Sequence, residues 1–158
     1  MPTRYSGTVA EVAALDAHIK LMRAAGAVAT RLERRLGALG LTESQFGVLE
    51  ILLHLGPLSQ RAIGRKLFRS GGNVTVVVDN LEKRDLVRRT RGTADRRQVT
   101  VDLTPTGRRL IEELFPGHAA AIAALYAALT PAEQAHLGAL AKKLGLSVTT
   151  PAEPPTSE

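Results

Sequence analysis

The order of residue patterns between Leu58 and Thr104 limits the fold of this chain more than any other feature. Two short helical patterns come first. The period then shifts from helical to alternating, and a basic tip separates two strand-like runs. Charge is gathered in the same place. From Leu58 to Arg109 there are 13 Lys/Arg and 5 Asp/Glu, a net of +8, while the remainder has 8 and 10, a net of −2, giving +6 for the whole chain. A surplus confined to one helix–helix–hairpin unit directs that unit towards a polyanion.

Within the unit, Ser59 is placed to cap a helix reaching about Lys66, with Ile63 and Leu67 inward. Arg69-Ser70-Gly71-Gly72-Asn73 reads as a turn whose Ser70 can cap the next helix. In that helix Val74, Val77, Val78 and Leu81 recur at i, i+3, i+4 and i+7, an apolar stripe. The opposite face carries Gly72, Val76, Asp79 and Lys83, flanked by Asn73, Thr75 and Asn80. Gly71 and Gly72 cost helix stability but let backbone amides come close to a phosphate. Val76 is either a contact for a thymine methyl group or a surface valine without a partner.

After Arg84 the pattern alternates. Leu86 to Thr90 and Val99 to Leu103 read as the two strands of a hairpin. Its tip, Arg91-Gly92-Thr93-Ala94-Asp95-Arg96-Arg97, holds three arginines, which suit a narrow minor groove better than they suit packing. A solvated charged loop is the alternative. The candidate DNA contacts are therefore Ser59, Gln60, Arg69, Ser70, Gly71, Gly72, Asn73, Thr75, Val76, Asn80, Lys83, Arg91, Arg96 and Arg97.

Three spaced motifs carry a family resemblance. V-D-N-L-E-K-R-D-L-V-R-R, then A-D-R-R-Q-V-T-V-D-L-T-P-T-G, with the lead-in L-T-E-S-Q-F-G-V-L, resemble in order the winged helix-turn-helix regulators of the MarR family. The resemblance covers about residues 10–145. The run S-G-G-N-V-T-V-V-V-D-N-L-E-K-R is most similar to the branch of quinone- and catechol-responsive repressors. The resemblance implies that Asp79 braces the wing through Arg96 or Arg97, with Asp95 a second bracing residue. It also implies a dimer formed by the first and last helices, and a small phenolic, aromatic or quinone-type effector. A pocket for that effector would involve His18, Met22, Phe46 and His54 from the first two helices. Two positions depart from the pattern. Asp85 stands where the family has glycine at the helix end, which predicts a strained turn, and Val76 replaces a position that is often polar or basic.

The rest of the chain is helical in pattern. From Val9 to Leu39, Leu15, Ile19, Met22, Gly26, Ala29, Leu32 and Leu36 fall close to one face. Thr42 to Gln45 reads as a capping box opening a helix through His54. Thr104-Pro105 starts a helix running towards Leu129, with a kink expected near Pro116-Gly117. Thr130 to Glu133 is a second capping box, for a helix to about Leu144.

The expected fold is mainly α with a small β-wing. Residues 1–39 form a dimerisation helix, 40–104 the winged helix-turn-helix lobe, 105–146 further dimerisation helices, and 147–158 a disordered tail rich in Pro, Thr, Ser and Glu. Long helices rich in Ala and Leu outside the lobe leave apolar faces that a twin would cover. Two-fold symmetry then predicts a pseudo-palindromic operator.

Other chemistries lack their residues. With no cysteine there is no thiol switch, disulfide or thiolate metal site, and no Trp, which argues against the urate-sensing branch of the family. His18, His54, His118 and His136 are not at metal-ligand spacing. No nucleotide loop or nucleophile elbow occurs. An enzyme, a metal site and a cofactor are thus not expected. No apolar run approaches a membrane span and no signal peptide is read, so a cytoplasmic protein without a membrane partner is expected. The expected function is a sequence-specific dimeric repressor released by a small ligand. The alternatives are a winged-helix protein-docking module and a non-specific architectural DNA binder, which would not discriminate between duplexes.

Overall fold

The computed structural model describes residues 5–67, 71–91 and 99–149, with the side chains of residues 71–73, 91 and 149 left out. Residues up to Ala119 and residues from Ala120 onward form two compact units. Expectations placed on Arg69, Ser70, Asp95, Arg96, Arg97 and residues 150–158 lie outside the described residues.

Local sequence signals set the helix ends. Helix α1 (Val9–Ala38) opens on Thr8, whose side chain forms a capping box with Glu11. Helix α2 (Glu43–Leu55) opens on Thr42, whose Oγ1 accepts the Gln45 N–H at 3.2 Å while Gln45 Oε1 accepts the Thr42 N–H at 3.0 Å. Two otherwise orphaned amides are satisfied in this way. Ser59 Oγ accepts the Ala62 N–H at 3.2 Å and starts the short α3 (Gln60–Lys66). Helix α4 (Gly71–Lys83) follows.

A six-residue turn carries α4 into the sheet. Leu86 N–H donates to Leu81 O and Asp85 N–H to Glu82 O, both at 3.0 Å, with Asp85 at φ 54° between them. This is a Schellman motif, a closure that favours glycine at the left-handed position. The end of α1 closes in the same way through Gly40, at φ 71°. The strain predicted at Asp85 is therefore present in the backbone.

Strands β1 (Leu58–Ser59), β2 (Val87–Arg91) and β3 (Val99–Leu103) form an antiparallel sheet in the order β1-β3-β2. Opposite pairs include Val87 with Leu103, Arg88 with Asp102 and Arg89 with Val101. Alternation puts Val101 and Leu103 in the core and turns Asp102 outward, where it meets Arg88 at 3.7 Å.

The core gathers Phe46, Leu49 and Leu52 from α2, Ile63 from α3, Val74, Val78 and Leu81 from α4, and Val87 and Val101 from the sheet. All are buried to 2% exposure or less. Helix α5 (Pro105–Leu125) adds Ile111 and joins the turn after α4 by a close approach. Thr104 Oγ1 donates to Asp85 O at 2.6 Å and accepts the Gly107 N–H at 3.0 Å. A Cβ on Gly107 would lie 1.9 Å from Leu86 O, so the L-T-P-T-G segment needs its glycine for contact.

Two boundaries differ from expectation. Helix α5 continues through Pro116 and ends at Leu125 rather than near Leu129, because Gln134 Nε2 donates to both Tyr126 O and Leu129 O at 3.1 Å and supports a turn there. Helix α6 (Pro131–Thr149) begins at its capping box but passes Leu144. Ser147 Oγ bonds to Leu144 O at 2.8 Å, so Ser147 to Thr149 belong to the helix and not to the expected tail. Among the described residues, no single helix is long and apolar enough to cross a membrane, and no cluster of His, Cys, Asp or Glu could hold a metal.

Candidate nucleic-acid interface

The burial of Val74, Val78 and Leu81 fixes which side of α4 turns outward. Thr75, Val76, Asn80 and Lys83 are exposed on that outer side, Val76 at 58%. The backbone of Gly71, Gly72 and Asn73 forms the first turn of the same helix, and Arg91 ends β2. Ser59, expected to meet DNA, accepts the α3 cap bond at its Oγ, which leaves its hydroxyl hydrogen to donate elsewhere.

A polar cluster ties the helices to the hairpin. Arg89 lies on the same face of β2 as the buried Val87 and reaches back to α4. Its guanidinium donates to Asp79 Oδ1 at 2.5 Å, to Glu82 Oε2, and at 3.3 Å to the Gln60 side-chain oxygen. Its backbone N–H donates to Glu82 Oε1 at 2.9 Å. Gln60 Nε2 in turn donates to Thr75 Oγ1 at 3.2 Å. Burial works against the Arg89 charge, but the bonds to Asp79 and Glu82 and their charges outweigh it and hold its pKa above the ordinary value. Asp79 thus braces β2 through Arg89. Its expected partners Arg96 and Arg97 lie outside the described residues.

Sequence reading missed Arg89 and Glu82. A usable signal existed, since strand alternation places Arg89 beside Val87, where an unpaired charge would be costly. Asp79 and Glu82, three apart, share one side of α4. Arg61 and Arg65 on α3 are two further exposed cations of the unit that were not singled out.

The first unit also holds a cavity of about 220 Å³. Leu32 and Leu36 of α1, Phe46 of α2 and Leu67 give it apolar walls. Glu43, Ser44 and Glu50 of α2 and His118 of α5 supply polar groups. Of the pocket residues expected from sequence, only Phe46 lines it. His54 instead meets Phe115 edge-on, with ring centroids 4.9 Å apart. His18 and Met22 stand exposed on α1.

His118 is the residue that was missed. It is 8% exposed, its ring centroid is 4.2 Å from that of Phe46, and its Nδ1 has no hydrogen-bond partner among the described residues. Burial lowers its pKa below the ordinary histidine value. The nearby Glu50 charge opposes that shift and Arg35 adds to it.

The MarR family model matches residues 41–99. The chain is 37% identical over 107 residues to the HTH-type transcriptional regulator YkoM of Bacillus subtilis, covering 68% of this chain and 70% of that protein. It is 32% identical over 133 residues to the HTH-type transcriptional regulator MhqR of the same organism, covering 84% and 92%. Among solved structures it is similar to Bordetella bronchiseptica BpsR, whose DNA binding is regulated by 6-hydroxynicotinic acid. That match has a TM-score of 0.74 at 29% identity and covers 82% of this chain and 98% of that one.

Proposed function

The chain belongs to the MarR family of DNA-binding transcriptional regulators, and on that premise we propose that it is a homodimeric repressor whose hold on a pseudo-palindromic operator is released by a small aromatic ligand. It is a regulator and not an enzyme. The observation that carries the proposal is the outward side of α4. Thr75, Val76, Asn80 and Lys83 stand exposed there, while the Arg89 cluster locks the helix to the hairpin beside it.

In this reading α4 enters a major groove. Asn73, Thr75, Val76 and Asn80 face base edges, and the amides near Ser70, Gly71 and Gly72 meet phosphate along with Ser59, Gln60, Arg69 and Lys83. Arg91, Arg96 and Arg97 lie in the adjacent minor groove, braced from Asp79 and Asp95. Residues 1–39 and 105–146 join two copies on either side of the 40–104 lobe. Exposed Leu21 and Met22 on α1 support this, as does the stripe of Leu137, Leu140 and Leu144 on α6, at 38%, 52% and 50% exposure. The cavity beside His118 receives the ligand, and the similarity to a regulator that answers to 6-hydroxynicotinic acid supports a small aromatic effector.

The test is a titration on the duplex upstream of the chain's own reading frame against random duplex. With roughly 6–10 phosphates engaged, affinity should fall by ~10³–10⁵ between about 50 and 200 mM salt. Protected half-sites should lie about one helical turn apart, ~34 Å. Equal affinity for both duplexes would overturn the regulator's specificity and favour an architectural binder.

A further inference from the structure

The outer side of α4 is tied to the sheet by a chain of hydrogen bonds that ends on Thr75. Gln60 opens α3 and follows directly on β1, whose Ser59 pairs with Thr100 of β3, and Thr90 of β2 stands opposite the same Thr100. That register brings the half-buried Gln60 within reach of Arg89. Each guanidinium nitrogen of Arg89 is engaged: Nη2 with Asp79, Nη1 with Glu82, and Nε with Gln60 Oε1 at 3.3 Å. An arginine only donates, so the Gln60 amide has to turn its oxygen to Arg89 and its nitrogen away. On that far side Nε2 donates to Thr75 Oγ1 at 3.2 Å. Thr75 thus stands exposed on the outer side of α4 while its hydroxyl oxygen is held from within the fold.

Resting on the reading that α4 enters a major groove, we propose that Gln60 is a positioning residue for base recognition: it holds the Thr75 side chain, so that discrimination at the base pair beneath Thr75 depends on Gln60. A helical threonine divides between two χ1 rotamers, and the rotation from one to the other carries Oγ1 off Gln60 Nε2. Fixing one rotamer before DNA arrives removes that choice and its entropic cost on binding. The Arg89 cluster supplies the rigid end, because Asp79 and Glu82 anchor the guanidinium that orients the amide. This role is separate from a phosphate contact. An amide nitrogen carries two hydrogens, so the bond to Thr75 does not withdraw Gln60 from the DNA backbone. A phosphate contact, however, acts on all duplexes alike, whereas a positioning residue acts at one base pair.

The full chain is used to select from a pool of duplexes of random sequence, and affinities are then measured for each single-base-pair variant of the enriched site. One net hydrogen bond corresponds to about 2–13-fold in affinity. Thr75→Val should reduce discrimination at one position of the half-site by a factor in that range. Gln60→Met should reduce it at the same position by at least about twofold, with the other positions and the salt slope unchanged. The double variant should discriminate no worse than Thr75→Val alone. Gln60→Glu keeps an acceptor for Arg89 and removes the donor to Thr75, so it gives the same reading should Gln60→Met fail to fold. Its added charge weakens every duplex alike and cancels from the ratio of affinities.

Losses spread evenly over all positions overturn the proposal and leave Gln60 a phosphate contact. Losses that add in the double variant overturn it too, as does a change below about twofold at the Thr75 position in both Gln60 variants. If the parent enriches a site but Thr75→Val leaves its discrimination intact, recognition by the chain stands and this proposal fails. If the parent enriches no sequence, the recognition reading fails and takes the proposal with it.

Discussion

Replacing Arg89 with methionine removes a group that joins α3, α4 and β2, and keeps an alkyl chain over the strand. The guanidinium loses its bonds to Asp79, Glu82 and Gln60. The Arg89 side chain is 24% exposed, but Asp79 and Glu82 are 46% and 39% exposed, so water screens both ion pairs. Each pair is then worth about 0.5 kcal/mol, within the range of exposed bridges. The Gln60 bond adds about as much. Glu82 still accepts the backbone N–H of residue 89, which methionine retains. The expected loss is about 1–2 kcal/mol, a fall of roughly 2–8 °C in Tm for a chain of this size. The melts are compared at one protein concentration, so that any self-association weighs equally on parent and variant.

The same substitution separates a brace from a DNA contact. In Arg89→Met, Asp79 and Glu82 keep their charges beside the interface without the cation that neutralised them, so operator affinity falls. The slope of log affinity against log salt should stay put, because a guanidinium engaged with two carboxylates neutralises no phosphate. Adding Glu82→Gln should recover part of both losses by removing an orphaned charge. A Tm within about 1 °C of the parent would refute the energetic reasoning. A salt slope reduced by about one would show that Arg89 serves phosphate and not α4.

Three further outcomes follow from the turn and the cavity. Gly107→Ala places a Cβ 1.9 Å from Leu86 O, a backbone atom already bonded to the Thr104 N–H at 3.2 Å; a loss of about 3 kcal/mol is expected, read from the denaturant midpoint, and a loss under about 1 kcal/mol would contradict the close approach. Asp85→Gly relieves a left-handed residue at φ 54° while giving up only the Thr106 bond to Asp85 Oδ2 at 3.3 Å; a gain of about 0.5–1 kcal/mol should appear as a higher midpoint, and no gain would mean that the turn is unstrained. For His118 the folded pKa is depressed below the ordinary 6.5, so the unfolded chain binds more protons as pH falls through that value. Stability should be flat above about pH 7 and decline below about 6.5. His118→Phe should flatten this part of the curve, as seen in thermal melts across pH.

What the sequence revealed was whatever a single stretch could specify. The capping boxes at Thr42 and Thr130 fix helix starts because donor and acceptor sit three residues apart, and both are in place. The stripe through Val74, Val78 and Leu81 fixes the buried side of α4 because it depends only on helical period. Strand β1 escaped notice because two residues carry no period, and it exists only by pairing with Val101 and Thr100 far along the chain. The cavity escaped for a related reason. The histidine of an alanine-rich helix is buried or exposed according to what Phe46 and Arg35 do from other helices, and no local pattern around His118 records that.

Arg89 lies between these cases, and it shows where legibility ends. Alternation placed it on the inner face, and the 3.6-residue period placed Asp79 and Glu82 on one side of α4. Each half of the contact was thus readable, but joining them needed the Schellman turn at Asp85, which sets the direction in which β2 leaves the helix. Turn geometry of that kind is announced by glycine, and here an aspartate occupies the position. The strained turn was foreseen from the family pattern, but the direction in which β2 leaves it was not, and the brace depends on that direction.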